Sequence, residues 1–155
     1  MAKMTIDQIK KLREETRAGV MDCKRALEEC KGDMRKSAEW LRKQGIAAAA
    51  KKKSREVKQG QIFAYIHAGG RVGAMVEVLC ETDFVAKTQE FQNLCRELSM
   101  QVAAMDPQSV ERLMQQEYIR DPKIKVKDLI DAIIGKLGEN IQVKRILRFE
   151  VGEEV

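Results

Sequence analysis

At 155 residues, with 34% charged and 44% apolar side chains, the chain suits one ordinary domain, or a small one joined to a larger one, around a real core. No apolar run approaches the roughly 20 residues of a membrane span, and MAKMTIDQIKKLREE lacks the apolar segment of a secretory signal, so a cytoplasmic protein is expected. The net charge of +5 is uneven: residues 1–60 carry 17 Lys and Arg against 9 Asp and Glu, and residues 61–155 carry 12 against 15, a balance that suits an acidic protein surface or RNA as partner.

Residues 1–45 read as three short helices. Thr5 and Gln8 make a capping box that opens a helix with Ile6, Ile9 and Leu12 on one side, and Arg17-Ala18-Gly19 breaks it. Cys23, Ala26, Leu27 and Cys30 recur at helical spacing, with Gly32 as a terminal cap. Asp33 caps a third helix whose inner face is Met34, Ala38 and Leu41 and whose stop is Gly45. Residues 46–59, with AAAAKKKSREVK, read as a partly helical basic linker of balance +4, since no apolar face repeats across them. The front is therefore expected to be an autonomous unit on a linker.

From Gly60 the periodicity turns extended. Ile62–His67 and Val72–Cys80 flank Gly69-Gly70, a hairpin signal because tight turns matching strand twist need positive φ. TDFVAK (Thr82–Lys87) then leads into a helix capped by Thr88, with Phe91, Leu94, Cys95, Leu98, Val102 and Met105 as its apolar stripe. Asp106-Pro107 ends that helix, and Val110, Leu113 and Met114 mark a short one. Val126, Leu129, Ile130, Ile133 and Leu137 mark another, stopped by Gly138. A final strand places Ile141, Val143, Leu147, Phe149 and Val151 on one face, with Arg145 as a polar interruption. Residues 60–155 are thus an α+β core, helices over one face of a small antiparallel sheet.

The chemistry-bearing residues argue against an enzyme. His67, the only histidine, has no ligand or catalytic cluster beside it, and no nucleophile motif or phosphate-cradling glycine loop occurs. Cys23 and Cys30, about 10.5 Å apart along a helix, are out of disulfide reach, and all four cysteines read as reduced thiols. No cofactor or metal site is expected. Gly70-Arg71-Val72-Gly73 has the GxxG form of an RNA-binding loop but overlaps a hairpin, and aromatic residues make up only 5% of the chain. Phe84, in TDFVAK, is either a core plug or a wedge aimed at a partner. A basic RNA-binding module and a protein adaptor stay open on the residues alone.

KLREETRAGVMDCKRALEECKGD, VEVLCETDFVAK, QQEYIRDPKIKVKDLI and GKLGENIQVKRILRFEVGE, in that order over nearly the whole chain, resemble elongation factor Ts. The resemblance implies an N-terminal three-helix module similar to ubiquitin-associated domains and a nucleotide exchange factor for elongation factor Tu. It implies that Thr82, Asp83, Phe84 and Val85 disturb the partner's magnesium and phosphate site, and that Arg13, Val20 and Met21 grip the partner from the module. Two departures stand out: Arg17 where the family usually has glycine, and Val20 where methionine is common. Ser109–Met114 joins the two recognisable halves with almost nothing between, leaving one core subdomain. Short family members form homodimers, so a homodimer is expected, with two copies of each protein in the complex and no direct nucleic acid or membrane contact. The unpaired sheet edge and Val76, Val78, Leu147 and Phe149 are the surface a second copy would cover.

Overall fold

The Thr5 hydroxyl accepts the Gln8 amide at 3.2 Å while the Gln8 side chain accepts the Thr5 amide at 3.0 Å, and this reciprocal cap opens α1 (Ile6–Thr16). The computed structural model describes residues 5–154; the start of the N-terminal segment read above for a signal lies outside the described residues. Arg17 ends α1 in the left-handed region, α2 (Val20–Glu29) follows Gly19, and Asp33 caps α3 (Met34–Lys52) by accepting the Lys36 amide at 3.0 Å. Leu12, Cys23, Ala26, Leu27 and Leu41 form a small buried core between these helices. Ile6, expected on the inner side, is exposed in the first turn of α1. Buried Ser37 donates its hydroxyl to the carbonyls of Asp33 and Ala26, tying α3 to α2.

β1 (Gln59–Ile66) and β2 (Val72–Cys80) pair as the expected antiparallel hairpin, Gln59 opposite Cys80 and Ile66 opposite Gly73. Its turn places Gly69 and Gly70 at φ 90° and 70°, which side-chain-bearing residues resist. One helical turn, α4 (Asp83–Ala86), leads to α5 (Gln89–Met105), capped by Thr88. Phe91, Leu94, Cys95, Leu98 and Val102 of α5 are buried against the sheet; Met105, expected in the same stripe, is exposed at the helix end. After α6 (Val110–Gln115) comes a two-stranded ribbon that sequence reasoning missed, β3 (Glu117–Tyr118) with β4 (Asp121–Lys125). Its DPKIK strand is too short and charged to alternate, and Tyr118 anchors it by donating its hydroxyl to Glu97 at 2.7 Å. α7 (Val126–Leu137) ends at Gly138, and β5 (Ile141–Glu150) returns beside β2, giving sheet order β1-β2-β5, all antiparallel.

Two expectations fail for tertiary reasons. Gly45 does not stop α3, which runs on to Lys52, so the expected boundary after residue 45 falls inside a helix. A Cβ on Gly135 of α7 would sit 3.5 Å from the Cα of Gly45, so the two glycines meet where α3 crosses α7. Packing there outweighs a helix cost of about 1 kcal/mol for glycine. Ala49, one turn on, lies in the larger core with Val76, Val78 and Ile133, so the second half of α3 belongs to both parts.

The second failure is in β5. Val78 faces Val143 but Glu77 faces Arg145, so Lys144 is an extra residue and the pairing shifts there. One added residue inverts the side-chain alternation. Ile141 and Val143 point under the helices with Ile146 and Arg148, while Leu147 and Phe149 share the outer face with Met75, Ile62 and Ile66. The expected single face of Ile141 to Val151 is therefore two faces. Val76 and Val78 are wholly covered by helices, so only Leu147 and Phe149 of the four positions expected at a dimer contact are open. Arg148, turned inward, donates Nε to the Ala103 carbonyl at 3.0 Å and pairs with Asp106 and Glu153.

Candidate partner-binding site

The turn from β2 into α5 is held from several sides. Thr82 caps α4: its hydroxyl accepts the Val85 amide at 3.3 Å and donates to Glu139 Oε2 at 2.7 Å. The Thr82 amide donates to the other Glu139 oxygen at 3.0 Å. Cys80 Sγ lies 3.2 Å from the Thr82 carbonyl, and Gln61 Nε2 donates to the Ala86 carbonyl at 2.9 Å. Val85 and Ala86 are buried in the larger core. With those two side chains turned inward, the same helical turn directs Phe84 outward, 81% exposed. Asp83 sits beside it, paired with Lys87 at 3.2 Å on the surface. The core-plug reading of Phe84 is therefore excluded by its position.

Arg13, Val20 and Met21 form a second exposed group, bracketing the α1–α2 turn. Val20 and Met21 begin α2, 49% and 67% exposed, and Arg13 lies in the last turn of α1. Arg17, between them, adopts φ 59°, the conformation glycine takes without strain, which gives the departure at this position a physical meaning. Arg13 lines a groove of about 580 Å³ between α1 and the α5–α7 side of the core, and so does Arg17. Lys10, Arg96, Arg120 and Lys136 add positive charge to its lining against Glu14, Glu90 and Glu97, of which Glu97 and Glu90 are paired with Arg120 and Lys136. α4 packs on β1, β2 and α5, so Phe84 and the Arg13 group form two separate exposed clusters on different elements.

Glu139 is the site residue that sequence reasoning missed. It lies 57 positions from Thr82, and the only signal was its place in the GKLGENIQVKRILRFEVGE segment. The thiols near the site are structural: burial pushes Cys80 up to about 11, with the Glu139 charge adding, and Cys95 up to about 12. Burial also raises Cys23, whereas Cys30 is half-buried. One thiol per folded chain, Cys30, is expected to react with a disulfide reagent at pH 8; three or four fast-reacting thiols would contradict this packing. The sign for stability follows: thiols held protonated in the fold favour it less as pH rises above 9.0, the ordinary thiol value.

A family profile described as Elongation factor TS matches residues 81–155, which include the Phe84 turn and Glu139. Elongation factor Ts of Carboxydothermus hydrogenoformans is 43% identical over 97% of the chain and 90% of the relative. The chain belongs to the elongation factor Ts family. Elongation factor Ts of Thermotoga neapolitana is 44% identical over 98% of the chain and 99% of the relative, and that of Rippkaea orientalis 41% over the full chain and 81% of the relative. These alignments run over 195, 195 and 201 positions against 155 residues here, so each relative has a substantial stretch with no counterpart in this chain. Membership makes the protein a nucleotide exchange factor of translation elongation. Among the described residues, no helix is long and apolar enough to cross a membrane.

Proposed function

We propose that this chain binds elongation factor Tu carrying GDP in the cytoplasm and promotes GDP release, so that GTP can follow. The observation that carries the reading is Phe84: an aromatic side chain, 81% exposed, on a turn whose two following residues are buried. A ring carried on a backbone turn that is already held before binding, with its own surface free, suits a wedge. Phe84 would enter the nucleotide domain near its magnesium and phosphates, Asp83 would displace the neighbouring loop, and Thr82 and Val85 would hold the turn. The metal belongs to the partner, and no covalent step or cofactor of this chain is needed. A factor that favours the nucleotide-free partner must by linkage weaken GDP binding equally.

The N-terminal module, residues 1–45, is the second grip, through Arg13, Val20 and Met21. The groove beside Arg13, richer in cations than in carboxylates, supports approach to an acidic protein surface. The working unit is a homodimer, two copies of each protein in the complex. The apolar outer sheet face around Leu147 and Phe149 supports that state, and it shifts the expected contact from strand edge to strand face.

The test is release of fluorescent GDP from elongation factor Tu in excess unlabelled nucleotide. Sub-stoichiometric chain should accelerate release with turnover, each tenfold corresponding to about 1.4 kcal/mol of lowered barrier. Release at the unassisted rate with saturating chain would overturn the reading.

A further inference from the structure

Glu139 stands in the bend between α7 and β5, far in sequence from the turn it touches, and both of its carboxylate oxygens are engaged by one residue. Oε1 accepts the Thr82 amide at 3.0 Å and Oε2 accepts the Thr82 hydroxyl at 2.7 Å. Because that hydroxyl proton goes to Glu139, the oxygen's lone pairs are left for the Val85 amide, which completes the helix cap. The carboxylate thus dictates the rotamer of Thr82, and the Thr82 rotamer dictates the start of α4, on which Phe84 is the second residue.

The next residue fastens the same corner to the body of the protein. Asn140 is buried, and its side-chain amide donates to the Arg55 carbonyl at 2.8 Å and the Lys53 carbonyl at 3.4 Å, at the end of α3. Its backbone amide donates to Glu81 Oε1 at 2.7 Å, one residue before Thr82. Glu81 in turn lies 3.6 Å from the Arg55 guanidinium. The chain entering β5 is therefore immobilised between α3 and the β2–α4 turn, so Glu139 offers Thr82 a fixed bidentate acceptor.

We propose that Glu139 is a positioning residue for the exchange reaction: it touches no partner itself and sets the angle at which the α4 turn presents Phe84. This rests on the reading of Phe84 as the partner-facing group. Bidentate hold on one backbone amide and one hydroxyl removes the freedom of a single-turn helix that would otherwise fray, since a four-residue helix has almost no intrinsic stability.

Two measurements separate the proposal from the reading beneath it. Native-state amide exchange should show the Thr82 and Val85 amides protected in the wild type. In Glu139→Ala both should exchange roughly tenfold faster or more, with β2 and α5 amides unchanged, while Glu139→Gln, which keeps one acceptor oxygen and a polar partner for the hydroxyl, should restore most of the protection. In GDP release, Glu139→Ala should lower the maximal rate roughly tenfold with little change in the concentration giving half-maximal effect. Adding Glu139→Ala to Phe84→Ala should produce no further loss, because both act through one side chain. Unchanged Thr82 protection in Glu139→Ala, or fully additive losses in the double variant, would overturn the positioning role. If Phe84→Ala alone were fully active, the wedge reading would fall, and amide exchange would still decide whether Glu139 holds the turn. If Glu139→Ala does not fold, Glu139→Asp replaces it, because its carboxylate is one methylene too short to reach both Thr82 groups: faster exchange of the Thr82 and Val85 amides supports the clamp, and unchanged protection refutes it.

Discussion

Phe84→Ala is expected to reduce the acceleration of GDP release at least about 30-fold, the equivalent of roughly 2 kcal/mol at an aromatic hot spot, while the melting temperature stays put. The ring is 81% exposed, so its truncation removes no core contact of the free protein. Surface changes of this kind alter stability by about 0.5 kcal/mol or less. A buried phenylalanine behaves in the opposite way: Phe91→Ala, at a position with no exposed surface, should cost about 3–5 kcal/mol. Comparing the two by thermal unfolding and GDP release checks the geometry and the mechanism together. A cooperative loss of stability in Phe84→Ala, with exchange per folded molecule intact, would mean that the ring packs inward in solution and would end the wedge reading.

Leu147→Asp combined with Phe149→Asp should convert a dimer into a folded monomer that exchanges nucleotide poorly. These side chains are 50% and 68% exposed on the outer face of the sheet, with Met75 opposite Leu147 across the pairing and Ile62 and Ile66 on the next strand. Its polar residues are Arg145, which donates to Glu77 at 2.6 Å, and Gln142, opposite Leu79. A three-stranded sheet with helices on one side leaves such a face in water, and pairing two copies about a two-fold axis would cover it. Sedimentation equilibrium at micromolar concentration should give twice 17.7 kDa for the wild type and a single mass for the double variant. Circular dichroism should be unchanged, because neither side chain reaches the helices. A wild type that sediments as a monomer and exchanges at full rate would refute the dimer requirement.

Both results depend on which way one side chain points, and the two cases were legible to different degrees. TDFVAK marked the Phe84 turn in the sequence, between the apolar run ending at Cys80 and the helix capped by Thr88; that Thr82 caps α4 came only from the structure. The orientation of the ring was not legible there, since it follows from burial of Val85 and Ala86 beneath β1, β2 and α5. At β5 the period of two was legible and misleading. Arg145 appeared as a polar interruption of one face, when the pairing shift beside it moves Leu147 and Phe149 to the other.

The sequence by itself determined what depends on neighbours along the chain: the caps at Thr5, Asp33 and Thr88, the Gly69-Gly70 turn, the apolar stripe of α5, and family membership through four motifs in order. Only the tertiary structure decided what depends on contacts across it. Gly45 reads as a helix stop until α7 brings Gly135 against it, and the charged segment 121–125 becomes a strand only because β3 is there to pair with it. Glu139 has no role until β5 lies beside the Thr82 turn. Local signals are carried by hydrogen bonds and dihedral preferences within a few residues. Close approach, register and long-range acceptors arise only when distant segments pack, and packing outweighs the roughly 1 kcal/mol of a local preference.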